Sequence, residues 1–321
     1  MPWQPGSERQ GSSITGWSNR NVTGEMRREE FLKPETLARL RGLDLKARLV
    51  VEGFLEGLHR SPYKGFSVEF SEYRPYIPGD EPRRIDWKVF AKRDRFYVKE
   101  YQEETNLRAM LLVDASGSMT YSSGTLSKLD YSVTLAAALT ILLIKQKDAV
   151  GLATFDTQIR EYIPPRASRN HMQLLLARLE GLAPGGETNL ASSLHDLAER
   201  ARKRGLVIIF SDLFDDPEDV LLALRHFRHR KHEVILFHVL DPKEESFDFE
   251  APMRMVDLET KKETSLDPRL VRAEYRKALK DYERRLATTC SEHHIDYNPI
   301  LTDQSLDYAL FRYLEKRRRM R

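Results

Sequence analysis

Asp114-Ala115-Ser116-Gly117-Ser118 follows the apolar run Met110-Leu111-Leu112-Val113, so a carboxylate and two hydroxyls stand where a buried strand is expected to end. Hard oxygen donors of this kind suit Mg²⁺, with Mn²⁺ or Ca²⁺ as the alternatives, rather than zinc or copper. In open α/β sheets ligands collect just beyond the carboxyl ends of strands. Small Ala115 and Gly117 are expected to let the backbone curl around an ion. Two later stretches supply further oxygens: Gly185-Gly186-Glu187-Thr188-Asn189 offers the Thr188 hydroxyl ahead of a helical segment, and Leu206 to Phe210 runs into Ser211-Asp212. The bland alternative is local. Asp114, Ser116 and Thr188 would then cap helices, and Asp212 would begin a turn.

An Asp-x-Ser-x-Ser loop, a Thr in a Gly-rich loop and a strand-terminal Asp, in that order, resemble the metal-ion-dependent adhesion site (MIDAS) of von Willebrand factor A domains. The resemblance implies an Mg²⁺ site in which the hydroxyls of Ser116, Ser118 and Thr188 are ligands. Asp114 and Asp212 would act directly or through water. This sequence departs from the family pattern at none of the five positions.

The elements that must position these residues alternate along the chain. Leu129 to Ile144 is almost wholly apolar, which suits a buried helix. Ala149 to Phe155 reads as a strand, with Ile159 to Ile163 as its hairpin partner ending at Pro164-Pro165. Helical patterns run from about Asn170 to Leu182 and from Leu190 to Arg204. Glu233 to Leu240 and Ile295 to Ile300 are further strands, with helices over Arg272 to Thr289 and from Ser305 onward. Such alternation implies right-handed crossovers and an α/β fold, a von Willebrand A-like (Rossmann-type), mostly parallel sheet covered by helices. Phe247 to Lys262 breaks the rhythm and reads as an inserted hairpin, with 246–263 as its bounds.

Before Asn106 the chain changes character, and 321 residues favour more than one unit. Residues 1–25 read as a disordered tail without a signal-peptide core, 26–105 as a helix plus a turn-rich β segment, and 106–321 as the metal-binding domain. The segment Tyr73-Arg74-Pro75-Tyr76-Ile77-Pro78-Gly79-Asp80, with Ile85-Asp86-Trp87, closely resembles the signature of the bacterial domain of unknown function 58 family. That resemblance covers roughly Leu45 to the end of the chain. It implies the A-like domain, gene neighbourhood with MoxR-type AAA+ ATPases and a role in chaperone-like assembly. Arg74, Asp80, Arg84, Asp86 and Trp87, together with Glu187, are candidate partner-binding residues, with a buried structural network as the rival reading of the first five.

Composition narrows the function. A net charge of +3 gives no nucleic-acid footprint, and the basic run Lys316 to Arg321 reads as a solvated helix end. No nucleic-acid partner is expected. No apolar run is long enough to cross a membrane, which points to a cytoplasmic protein, with peripheral membrane attachment as the alternative. Cys290, the single cysteine, excludes an internal disulfide and fits a small buried role. His226-x-x-His229-x-x-His232 lies among cations and reads as a basic, solvated helix end, while Asp215 to Asp219 reads as a helix cap with Pro217 in the first turn. Walker A, His-Glu-x-x-His and Gly-x-Ser-x-Gly patterns are absent. The expectation is therefore a non-enzymatic, Mg²⁺-dependent interaction module that takes an Asp or Glu carboxylate from a partner protein. The rivals are an Mg²⁺-dependent phosphoester hydrolase and a scaffold whose metal is purely structural.

Overall fold

The computed structural model describes residues 33–60, 73–75, 97–99, 107–186 and 189–319. Helices α1 (Pro34–Ala38) and α2 (Leu43–Arg60) come first, and the short strands β1 (Tyr73–Pro75) and β2 (Tyr97–Lys99) pair antiparallel. A six-stranded sheet follows, built from β3 (Arg108–Asp114), β4 (Ala149–Phe155), β5 (Ile159–Arg166), β6 (Leu206–Ser211), β7 (Glu233–Leu240) and β10 (Ile295–Leu301). Its strand order is β10-β7-β6-β3-β4-β5, parallel throughout except for β5 at one edge. The fold class expected from the alternating pattern is the one observed.

Helices cover both faces. α3 (Lys128–Lys145), α4 (Arg169–Glu180) and α9 (Leu306–Arg319) meet Leu111, Val113, Ile208 and Phe237 on one side. On the other, α5 (Leu190–Arg200), α6 (Pro217–His229) and α8 (Pro268–Glu292) meet Met110, Leu112, Ile209 and Leu236. Successive strand residues thus feed opposite cores, which is why these strands read as unbroken apolar runs. The apolar circumference of α3 has a second cause: α2 lies against it, and Leu43, Ala47, Val50, Val51 and Phe54 join the same core. A helix sandwiched between sheet and helix has no solvent face to keep polar.

Several boundaries differ from the sequence expectation, among them the start of α8 at Pro268 rather than Arg272 and the hairpin before it, which runs on to Leu266 rather than ending by 263. β5 continues through Pro164 and Pro165 to Arg166 rather than stopping before them. An edge strand with an irregular register tolerates the missing N–H groups. Opposite them a Cβ at Gly151 would lie 2.6 Å from the Ile163 carbonyl oxygen, so only glycine fits. α5 ends at Arg200, four residues short of the expected Arg204, and Arg202, Lys203 and Arg204 form an exposed basic loop.

The stretch between β7 and α8 holds a short helix, α7 (Pro242–Ser246), and an antiparallel hairpin, β8 (Met253–Val256) with β9 (Glu263–Leu266). No helix among the described residues is long and apolar enough to cross a membrane. Lys316 and Arg317 of the basic end are not solvated as expected. Lys316 pairs with Glu233 at 2.8 Å and Asp296 at 2.9 Å, and Arg317 with Asp148.

Candidate functional site

β3 and β6 are adjacent parallel strands, so their carboxyl ends bring Asp114 beside Ser211 and Asp212. Asp114 is fully buried. Its Oδ1 accepts from the Ser116 N–H at 2.9 Å and its Oδ2 from the Ser211 hydroxyl at 2.6 Å. The Ser116 and Ser118 hydroxyls lie 3.0 Å apart, at the start of the short 3₁₀ turn Ser118–Thr120. The structure thus gathers Asp114, Ser116, Ser118 and Asp212. Glu187 and Thr188 lie outside the described residues, as do Asp80, Arg84, Asp86 and Trp87, while Arg74 falls within β1.

None of the gathered residues is spent on a helix cap. Ser127 caps α3, Asn189 caps α5 and Asp216 caps α6, with Pro217 in its first turn. Gly117 has φ −61°, a value open to any residue, so its role is not the unusual backbone curl expected from sequence. Instead the tip of hairpin β8–β9 packs on it: an added Cβ would lie 3.0 Å from the Leu258 carbonyl oxygen and 3.4 Å from Glu259 Cγ.

Asp212 has partners that the sequence pattern did not announce. Buried Lys128, the first residue of α3, places Nζ 2.7 Å from Asp212 Oδ2 and 2.7 Å from Glu244 of α7. Burial pulls the Lys128 ammonium down, but Asp212 and Glu244 more than offset this and leave it above its ordinary pKa. Burial draws His238 down to about 4, so its imidazole is neutral. A neutral ring facing a carbonyl must donate, hence Nε2–H bonds the Asp212 carbonyl at 3.0 Å and Nδ1 accepts from the Tyr297 hydroxyl at 2.7 Å. Leu213 sits at φ +56°, a strained value for a branched side chain. It is held there by its N–H on the Ser211 hydroxyl at 3.0 Å and by the Tyr282 hydroxyl on its carbonyl at 2.6 Å. The backbone at the β6 end is therefore fixed from three directions.

Asp114 has no such cation. Burial first, and the Asp212 charge second, push its carboxyl up to about 7. A fully buried carboxylate needs a compensating charge, and among the described residues no Lys, Arg or His pairs with Asp114. Hard oxygens around an uncompensated acid fit a divalent cation of the Mg²⁺ type. Among the described residues no three His, Cys, Asp or Glu side chains converge. The rim carries Phe214, 43% exposed, with the Lys128 ammonium 4.8 Å from its ring centre.

The remaining sequence candidates fall elsewhere. His232 is buried, not solvated, and its Nε2 lies 2.8 Å from the Ala201 carbonyl. His226 faces His195 and Glu199 on the outside of α5 and α6. Cys290 is buried between α8 and the sheet, and burial pushes its thiol up to about 12.

Comparison with known proteins gives the following. The sequence profile described as "Protein of unknown function DUF58" matches residues 72–285. Uncharacterized protein Rv1480 of Mycobacterium tuberculosis is 29% identical over 299 residues, spanning 92% of this chain and 93% of that one. Among solved structures, an aerotolerance-related membrane protein from Bacteroides fragilis aligns with TM-score 0.46 at 16% identity, covering 65% of this chain and 99% of that one. The conserved hypothetical protein BatB from Bacteroides thetaiotaomicron aligns with TM-score 0.45 at 15% identity, covering 65% and 98%.

Proposed function

The chain belongs to the DUF58 family, and from that premise we propose that it is an Mg²⁺-dependent protein-interaction module. The observation that carries this reading is the fully buried Asp114 carboxylate, with no Lys, Arg or His partner among the described residues, beside the Ser116 and Ser118 hydroxyls and Asp212. Asp114, Ser116, Ser118 and Asp212 would hold the ion, with Thr188 as the sequence's fifth candidate. When bound, Mg²⁺ supplies a hard Lewis acid with a position open to a carboxylate oxygen. Ser211 orients Asp114, and the Lys128 ammonium pairs with Asp212. His238 and Tyr282 keep the β6 end rigid, so the oxygens are preorganised. Exposed Phe214 offers apolar contact at the rim, where a partner's side chains beyond its Asp or Glu would set specificity.

The partner proposed is an AAA+ ATPase of the MoxR type, with a role in assembling or maturing other proteins. Residues 73–88, including Arg74, Asp80, Arg84, Asp86 and Trp87, are proposed as a second recognition surface. The test is a thermal-denaturation series with increasing Mg²⁺ on the full chain and on Asp114→Ala and Ser116→Ala. A rise in Tm for the wild type alone supports the site, and identical curves for all three proteins overturn it.

A further inference from the structure

At the amino ends of the central strands, opposite the Asp114 site, a cavity of about 150 Å³ lies between β3, β5, β6 and the loop that follows α5. Four cations line it. Arg108 opens β3, Arg200 closes α5, and Arg202 and Lys203 stand in the loop. Gly205 lets the loop come this close, because a Cβ there would overlap the Arg108 carbonyl. Buried His232 ties the start of the loop, with its Nε2–H on the Ala201 carbonyl at 2.8 Å. Burial also pulls its imidazole below the ordinary value, so it adds no charge at neutral pH.

Among the described residues none of the four cations is paired with a carboxylate, and no Asp or Glu lines the cavity. Glu233, whose N–H donates to the Gly205 carbonyl at 3.0 Å, is already held by Arg228 at 3.0 Å and Lys316 at 2.8 Å. The end of α5 accounts for little of the positive charge. Its macrodipole presents about half a negative charge, which Arg200 alone offsets, and Arg108 belongs to another element. Two of the charges converge on a hydroxyl: burial raises Tyr162, while Arg108 and Arg200 pull it back down. The Tyr162 hydroxyl lies 3.5 Å from the Arg200 carbonyl, too far for a firm bond, so its proton is free to turn to a ligand.

We propose that this cavity is a binding site for a phosphate group. Three guanidinium forks and an ammonium match a tetrahedral dianion better than a lone carboxylate, since Arg engages phosphate through two parallel N–H bonds. Pockets for larger ligands run to about 300–1,000 Å³, so a whole nucleotide does not fit. Met110 and Val207 add apolar wall, which suits a short organic ester. The cavity shares no residue with the metal-site donors and does not depend on that reading.

The test is calorimetric titration of the full chain in EDTA with inorganic phosphate and with phenyl phosphate, at an ionic strength held constant with sodium chloride. Wild type, Arg108→Gln, Arg202→Gln and Arg204→Gln are compared. Arg204 is an exposed cation of the same loop that does not line the cavity. Wild type should bind with a Kd in the millimolar range or tighter, and Arg108→Gln and Arg202→Gln roughly tenfold weaker or more, as loss of a charge-assisted hydrogen bond dictates. Arg204→Gln should stay within about twofold of wild type, as a surface charge does. Arg202 is exposed, so its variant keeps the fold even where Arg108→Gln does not. Tighter binding of phenyl phosphate assigns an organic phosphate as the occupant, and equal or weaker binding assigns the free ion; both support the site. Absence of binding by either probe at millimolar concentrations overturns it. So does a loss in Arg204→Gln as large as in Arg202→Gln, which would mean that only diffuse positive charge is at work.

Discussion

Replacing Asp114 by Asn is expected to stabilise the metal-free protein while abolishing its response to Mg²⁺. The carboxyl is fully buried and its pKa is raised from its ordinary 3.8 to about 7, by burial first and by Asp212 second. A raised carboxyl costs nothing below its unfolded pKa, where both states are protonated. The cost of ionising it inside the fold grows as pH climbs past that value and is complete above the folded pKa. At about 1.4 kcal/mol per pKa unit the penalty is about 2 kcal/mol near pH 5 and about 4 kcal/mol near pH 8. Asn keeps the bond from the Ser116 N–H, but its amide group meets the Ser211 hydroxyl, whose proton loses its acceptor. That loss costs about 1 kcal/mol. Urea denaturation in EDTA should therefore show the variant more stable than wild type by about 3 kcal/mol near pH 8 and by about 1 kcal/mol near pH 5. Added Mg²⁺ should raise the wild-type midpoint and leave the variant where it was. A variant less stable than wild type near pH 8 would show that groups within the fold already compensate the Asp114 charge, and the reason for placing an ion there would be gone.

Lys128→Met leaves Asp212 and Glu244 facing each other without their shared cation. A loss of about 3–5 kcal/mol in denaturant unfolding is expected, as when one member of a buried ion pair is removed, and a loss under about 1 kcal/mol would contradict the burial argument. Gly151→Ala drives a methyl group into the Ile163 carbonyl and Pro165, so it should cost about 1–3 kcal/mol, measured the same way. The Cys290 thiol, buried and raised to about 12, should resist Ellman's reagent in the native protein near pH 8 and react fully in denaturant. Rapid native labelling would mean that α8 detaches readily from the sheet.

The strands and the Asp-x-Ser-x-Ser loop were legible because their signals are local. Met110 to Val113 and Leu206 to Phe210 are apolar without interruption because the sheet is covered on both faces, and Asp114 and Asp212 mark where those runs stop. The site's supporting residues carry no such signal. Lys128 meets Asp212 across 84 residues of sequence, and Ser211 meets Asp114 across 97. A lysine opening a helix looks solvated until the fold places two carboxylates around it. The uniform apolarity of α3 pointed to burial on every side, but the identity of its outer cover, α2, lies in packing and not in period. His232 and the Lys316–Arg317 pair read as solvated because their partners, the Ala201 carbonyl and three acids of the sheet domain, are distant in sequence. Gly117 was read as a backbone requirement, yet it serves the approach of a hairpin more than a hundred residues later in the sequence.

The central claim, that an Mg²⁺-dependent carboxylate contact is how this protein holds a partner, is tested most directly by affinity capture. Full-length protein is immobilised and exposed to extract of its own cells in Mg²⁺ and in EDTA, with folded Asp114→Ala as the control. The account predicts a protein, expected to be an AAA+ ATPase, retained by wild type in Mg²⁺ and lost in the other two conditions. Retention of the same proteins in all three would contradict it and move recognition to the segment that carries Arg74 and Trp87.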